Sequence, residues 1–299
     1  MIYVISDIPG KDPWSASSRD IREFSETARL EGHRVFEVPS DFSTCDGVEN
    51  AFAYLPVPDE PTWCVLNGFI PSNERYQEIF EHLSAKNLRL INDPSEFQRA
   101  LEFHKSYPLI EKLTARSLIL SRRDEMDGAI AELGLPLFIK GSVRSLKHYG
   151  ADACIAQTAE EAERIVDKLF ELPFHARGAV ILRTLLPLRH ERVATNGFPL
   201  GREYRVFLYR NEVLAHGYYW EGDDALEGLS SQEQVGMLDV AKKASRLLDV
   251  PYLAIDVGQV ESGEWFVIEP GDAQFAGFSK ANVLKLFRRL TEELQKHSP

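Results

Sequence analysis

Cysteine is scarce. Cys45, Cys64 and Cys154 are the only three in 299 residues and include no Cys-x-x-Cys pair, so neither a disulfide framework nor a cysteine zinc site is indicated, and a reducing cytoplasm is expected. Long apolar runs are missing too: no stretch approaches the ~18 residues of a membrane span. The opening run, residues 1–7, is too short for a signal peptide and reads as a buried first strand of a soluble protein. There is no excess of positive charge. With 34 Lys and Arg against 46 Asp and Glu, the net charge of -12 argues against a general nucleic-acid or membrane-surface binder, which needs a basic footprint. Nor is there a glycine-rich phosphate loop near the start. The first loop, Ser6-Asp7-Ile8-Pro9-Gly10-Lys11, carries one glycine and matches neither a dinucleotide fingerprint nor a P-loop.

What remains is an ordinary globular composition, 44% hydrophobic, long enough for one large or two modest domains. Residues 1–90 alternate strand and helix signals: strands at 2–6, 34–38, 63–67 and 88–91, helices at 15–31 and 74–85. That alternation predicts a parallel sheet with crossover helices, whose strand ends offer a place for a substrate.

The most informative feature lies near the other end. Asp256 and Glu269 stand symmetrically about Ser262-Gly263, each within a β-branched and aromatic run, which reads as a hairpin closed by a two-residue turn. In that register the two carboxylates face each other, and like charges so placed destabilise a sheet. A divalent cation is the simplest compensation, and oxygen ligands on a rigid sheet suit Mg²⁺. Asp272 offers a third oxygen. The alternative is a pair of solvated acids on an exposed hairpin, but the nearly continuous apolar flanks point to strands covered on both faces.

Between these regions, Asn92-Asp93-Pro94-Ser95-Glu96 is a helix start with an N-cap, a proline in the first turn and a capping box; the helix is expected to run to about residue 105. A strand at 117–120, a helix at 124–133 and an apolar strand at 135–142 follow. Lys140 terminates that strand and needs an anion. The loop beyond it, with Gly141, Ser142, Arg144, Lys147 and His148, combines backbone amides and cations into a phosphate cradle. A short strand at 153–156 and a capping box at Thr158-Glu161 complete a small α+β unit. An apolar strand then passes Arg183 into a connector, and a loop carrying Arg189, His190, Arg192 and Arg202 leads to a second hairpin turning at Arg210-Asn211. There Glu203 and Arg205 share a face by period two, as a site pair or a plain salt bridge. Helices at 231–248 and 281–296 flank the acidic hairpin.

In this order the parts resemble the ATP-grasp superfamily. Lys140 resembles the lysine that reaches the nucleotide phosphates, the following loop its flap, and Lys105 its earlier lysine. The strand ending at Arg183 to Leu186, which includes Leu185, is similar to the interlobe connector whose backbone reads adenine. Glu203-Tyr204-Arg205 resembles the acid-x-Arg strand, and Asp256, Glu269 and Asp272 its two-magnesium set, with Asp272 where asparagine is usual. The glycine-poor flap, and Tyr218 and Tyr219 in place of a basic residue, resemble a divergent clade that includes the eukaryotic assembly chaperone of a translation-initiation factor.

The resemblance implies a combined α/β and α+β fold. A Rossmann-like pre-ATP-grasp domain (1–90) would precede a small lobe (91–178) and a large lobe with the metal site (179–299). It also implies ATP and Mg²⁺ as cofactors and a carboxylate-amine ligase working through an acyl phosphate. Lys140 and Arg205 would serve the transferring phosphoryl group, while Lys105, Ser142, Arg144, Lys147, Arg183, Leu185 and Glu203 would bind nucleotide. Small-molecule, peptide or protein carboxylates and amines are the implied substrates, and a homodimer is compatible. Arg144, Lys147 or Arg192 are candidates for an acceptor carboxylate. The alternatives are an ATP-grasp kinase and a non-catalytic ATP-binding chaperone.

Overall fold

The computed structural model describes residues 1–8, 14–39, 47–297 and 299. Gly10 and Lys11 of the first loop, and Cys45, lie outside the described residues. The first unit is β1 (Tyr3–Asp7), α1 (Ala16–Leu30), β2 (Arg34–Val38), α2 (Val48–Ala51), β3 (Thr62–Asn67), α3 (Asn73–Ala85) and β4 (Leu88–Leu90). Its sheet is wholly parallel, in the order β2-β1-β3-β4, as the alternation predicted; α2, four residues long, was too short to leave a periodicity.

The capping box at Asp93 and Glu96 opens α4 (Pro94–Leu101). The single helix expected to residue 105 is instead two, because Glu102 is extended (φ -94, ψ 102) and α5 (Phe103–Ile110) starts beyond it. The break has a cause. The Glu102 carboxylate, almost fully buried, takes hydrogen bonds or ion pairs from Asn73, Lys105 and Arg177, while the Phe103 amide donates to Ser142 O at 2.9 Å.

Next come β5 (Ser117–Leu120), α6 (Met126–Leu133), β6 (Leu137–Gly141), β7 (Ile155–Ala156), α7 (Ala159–Phe170), α8 (Pro173–Ala176) and β8 (Val180–Thr184). The sheet order is β5-β8-β6-β7. Thus β8, assigned from sequence to the third stretch, hydrogen-bonds between β5 and β6, and the sheet of the second stretch runs to Thr184 rather than ending at 178. Gly141 closes β6 where a Cβ would collide with the backbone of His175 and Ala176 at the end of α8. Backbone cannot rotate away, so Gly141→Ala is expected to cost about 1–3 kcal/mol in chemical denaturation.

After a short hairpin, β9 (Arg192–Val193) and β10 (Pro199–Leu200), the chain forms β11 (Glu203–Tyr209), β12 (Glu212–Tyr218), α9 (Ser231–Leu248), β13 (Tyr252–Gln259), β14 (Trp265–Asp272) and α10 (Val283–Gln295). These strands make an antiparallel sheet, β12-β11-β13-β14. Arg210 and Asn211 both take positive φ, 44° and 70°, as a two-residue turn demands. Pro270 is tolerated because β14 is an edge strand. One side of the sheet packs on α9 through Val206, Leu208, Leu253 and Ile255. The other side shares a core with the first unit: Phe207, Tyr252 and Phe287 pack with Ile2, Val4 and Phe24. The second stretch keeps its own core, around Leu137, Ile139, Val166 and Leu182, so a small lobe faces a base made of the first and third units.

Candidate active site

The acidic hairpin reaches its expected register by an unexpected route. Asp256 does pair with Glu269. The loop is three residues, not two: Val260 N donates to Glu264 O and Gly263 N to Val260 O, with Gly263 at φ 95°. That loop alone would misalign the carboxylates by one position. A bulge between Asp256 and Val257 in the register, with Ile268 the extra residue, restores the pairing, and bulges of this kind re-aim side chains.

Their like charges are compensated by organic cations. The Arg205 guanidinium lies opposite Asp256 on β11 and donates from Nε to Oδ1 and from Nη2 to Oδ2, both at 2.7 Å. Lys140, whose side chain is 2% exposed, pairs with Glu269 Oε2, leaving Oε1 without a hydrogen bond among the described residues. Burial works against the Glu269 carboxylate, yet Lys140, Lys147 and Arg205 hold its pKa at about 2. Burial is also the largest influence on Lys140 and pushes its pKa down, with Glu269 opposing.

The two carboxylates line a cleft of about 390 Å³ between the lobes. Its lining combines apolar residues, Pro136, Phe138, Ile155, Leu186 and Ile268, with the charged Lys147, Arg183, Glu203, Asp256 and Glu269. The connector, including Thr184, Leu185 and Leu188, lines it between the lobes. Lys147 reaches in from the flap. Its Nζ donates to Tyr219 Oη at 2.9 Å and lies 4.4 Å from the Tyr219 ring centroid and 5.0 Å from that of Trp220. Burial opposes the Lys147 charge, but Tyr219, Glu203 and Glu269 outweigh it and raise its pKa. The Arg205 guanidinium shares this platform, 4.9 Å from the Tyr219 centroid. Arg183 is committed to structure, donating to Ile268 O and Thr114 Oγ1, each at 2.8 Å.

Glu203 is 5% exposed, lines the cleft, and makes no side-chain hydrogen bond or ion pair among the described residues. It is not the plain partner of Arg205, which is spent on Asp256. Burial first, then Asp256 and Glu269, push its pKa up to about 7. A carboxyl with a raised folded pKa binds protons more strongly than the unfolded chain between about pH 4.5 and 7, so stability is lost as pH rises through that window. Glu203→Gln is therefore expected to be more stable than the wild type at pH 8, by an amount that shrinks toward zero near pH 4.5, as read by denaturation at several pH values.

Five expected residues, Lys105, Ser142, Arg144, Asp272 and Arg192, do not line the cleft. Lys105 is partly exposed and pairs with Glu102 at 2.8 Å. Ser142 is buried and its hydroxyl bonds His104 Nδ1 at 2.7 Å. The Arg144 guanidinium stacks 5.1 Å from the Phe174 centroid, and the residue lines a different cavity. Asp272 is 1% exposed and, three residues after Glu269, points to the opposite face by strand alternation. Its Oδ1 accepts the Gln274 amide at 2.9 Å, and burial pushes its pKa up to about 6. Gln274 in turn accepts Leu66 N–H at 3.0 Å and donates to Tyr76 Oη at 3.0 Å, so Asp272 helps dock the first unit onto the base. Arg192 is held by Glu221 O and Asp224.

Among the described residues no three His, Cys, Asp or Glu side chains are grouped to hold a metal. The three-carboxylate set does not fit, whereas Asp256 and Glu269 do suit Mg²⁺, which commonly takes one or two carboxylates plus phosphate oxygens. The residues also suit a nucleotide, with apolar side chains for a base and cations for phosphates. Sequence reasoning missed Phe138, although it shares a strand face with Lys140 by period two. It also missed the Tyr219 and Trp220 platform, for which there was no local signal because Lys147 lies 72 residues away along the chain.

The sequence matches a family model described as ATP-grasp domain, R-2-K clade family 3, over residues 129–294, more than half of the chain. The chain belongs to this ATP-grasp family. The matched segment contains Lys147, Arg183, Glu203, Asp256 and Glu269 of the cleft. Among solved structures, it is similar to D-alanine–D-alanine ligase from Bacillus anthracis complexed with ATP, at TM-score 0.66 and 12% identity, over 100% of this chain and 99% of that one. D-alanyl-alanine synthetase A from Vibrio cholerae gives 0.65 and 14%, over 99% and 96%. The ADP complex of purK, an N5-carboxyaminoimidazole ribonucleotide synthetase, gives 0.61 and 13%, over 91% and 70%. At these identities the likeness shows the fold. No curated protein sequence matches the chain. Among the described residues no helix is long and apolar enough to cross a membrane.

Proposed function

We propose that this ATP-grasp protein is an ATP- and Mg²⁺-dependent ligase that joins a carboxylate to an amine. The observation that carries the reading is a single cleft whose lining joins apolar side chains to opposed carboxylates backed by buried cations. The apolar lining, with Phe138, Ile155 and Ile268 and the Leu185 connector, would receive the adenine, and Asp256 and Glu269 would hold the metal. Bound Mg²⁺ would supply charge neutralisation at the phosphates. Lys147 adds positive charge there, while Lys140 and Arg205 act from behind by fixing the two carboxylates. Stabilising charge on a transferring phosphoryl group is the main task in such chemistry.

A substrate carboxylate oxygen bonds to the γ-phosphorus as its bond to ADP breaks. The amine nitrogen then bonds to the acyl carbon, phosphate leaves with the carbon–oxygen bond pair, and the amine gives up its proton. The chain needs no nucleophile of its own. Substrates would be small molecules or peptides, and a protein terminus is compatible. The test is release of ADP and phosphate by the wild type with ATP, Mg²⁺ and mixed pools of carboxylic acids and amines. Release that requires both pools supports the ligase. Release that needs only one acceptor class indicates a kinase, and Mg²⁺-dependent ATP binding without release would leave a nucleotide-binding chaperone.

A further inference from the structure

Asp7 and Asn67 end the neighbouring parallel strands β1 and β3. Here the sheet reverses its growth: β2 lies on one side of β1, and β3 and β4 on the other. Ligands of parallel sheets bind at the carboxyl ends of the strands at such a reversal. In this protein the place is a cavity of about 250 Å³, walled by Val38, Phe52, Leu66, Ile79 and Phe275.

The polar groups at its floor present acceptors. Asp7 Oδ2 accepts the Phe69 amide at 2.7 Å, and no donor among the described residues reaches Oδ1. Asn67 is 6% exposed. Its Nδ2 donates to Ile21 O at 2.8 Å and shares its other hydrogen between Ser25 Oγ and Ser6 Oγ, and its Oδ1 has no donor among the described residues. Gly68 cannot carry a side chain, since a Cβ would fall on the Asp7 carboxylate. Among the described residues the one cation at the rim is Arg75, which pairs with Glu78 at 3.2 Å.

A second, smaller cavity shares residues 67–70 and Phe275 with the first. It contains Asp20, which has no ion pair among the described residues, and Gly277, whose carbonyl accepts from Arg205 Nη1 at 2.7 Å. The recess therefore continues toward Arg205, whose partner Asp256 lines the cleft between the lobes.

One oxygen of a half-buried carboxylate and the oxygen of a buried amide, neither with a donor among the described residues, leave a ligand to bring them. An anion would be repelled, and a neutral hydrocarbon would leave Asp7 desolvated. An ammonium supplies three donors and a charge. We propose that this cavity binds an organic ammonium carried on a compact apolar body; on the ligase reading, it is the pocket of the amine-bearing co-substrate. The raised pKa of Asp7, pushed up to about 6 by burial, fits a carboxylate whose counter-ion comes with the ligand.

The test is calorimetric titration of the wild type, without nucleotide, using 2-phenylethylamine as probe and N-acetyl-2-phenylethylamine and 3-phenylpropionate as controls. The amine is expected to bind at least about tenfold more tightly than either control, a difference of about 1.4 kcal/mol. Asp7→Asn should abolish that preference. Should that variant not fold, the wild type decides by pH: amine affinity falls between pH 7 and pH 5 as Asp7 takes up its proton, with Asp20 from α1, Arg75 from α3 and Arg144 from the loop after β6 the other charged groups around the recess among the described residues. No amine binding, equal binding of the acetylated analogue, preference for the carboxylate or a flat pH profile each overturns the proposal. ATP is titrated in parallel. Amine binding without ATP binding would sink the ligase reading alone, and ATP binding without amine binding would sink this inference alone.

Discussion

Arg205→Leu is expected to destabilise the protein by about 3–5 kcal/mol, the cost of removing one partner of a buried ion pair. The two side chains are 14% and 4% exposed, so water cannot take over the role of the guanidinium. Asp256 would be left in a wall it already shares with Glu203 and Glu269, and three carboxylates would then rely on Lys140 and Lys147. Loss of Gly277 O as a partner of Arg205 adds to the effect by loosening the turn after β14. Urea denaturation measures it. Arg205→Leu combined with Asp256→Leu should recover most of the loss, because the expensive species is the unpaired charge and not the missing bridge. A single variant as stable as the wild type would mean that Asp256 is solvated or neutral, and the picture of paired buried charges would be wrong.

Glu269→Gln should lower turnover by about two to three orders of magnitude, the scale typical of removing one electrostatic group from a reacting centre, and should weaken the Mg²⁺ dependence of ATP binding. Glu269 is the carboxylate with an oxygen to spare: Lys140 occupies Oε2, while both oxygens of Asp256 are held by Arg205. It therefore offers the more available metal oxygen of the two. Glutamine keeps the shape and one acceptor but removes the charge that Lys140, Lys147 and Arg205 stabilise at a pKa of about 2. Phosphate-release kinetics and ATP titration with and without Mg²⁺ would check it. Near-normal turnover with intact Mg²⁺ dependence would remove Glu269 from the metal site.

Sequence order, spacing and periodicity settled a good deal about this chain. The alternation of residues 1–90 determined a parallel sheet, since strands buried on both faces and separated by helices have few other arrangements. The capping boxes at Asp93 and Thr158 marked where helices begin, because an N-cap works through groups three residues apart. The opposition of Asp256 to Glu269 was also legible, although the loop and bulge that achieve it were not: two one-residue deviations cancel and leave no trace in the spacing. The ordered set of strand-borne charges pointed to the ATP-grasp superfamily, and the family model matches residues 129–294.

What tertiary structure alone decided is how those charges are used. Lys105, Ser142, Arg144 and Asp272 have suitable chemistry at suitable sequence positions, yet each turns to a nearer partner, Glu102, His104, Phe174 and Gln274 respectively. Conversely, Lys147 finds Tyr219, Arg205 finds Asp256, and β8 joins the small-lobe sheet through contacts that are remote in sequence. Local pattern fixes which face of an element a side chain occupies. Which distant group meets that face depends on how the elements pack, and for a buried charge that meeting determines whether it is a ligand, a counter-ion or a strut.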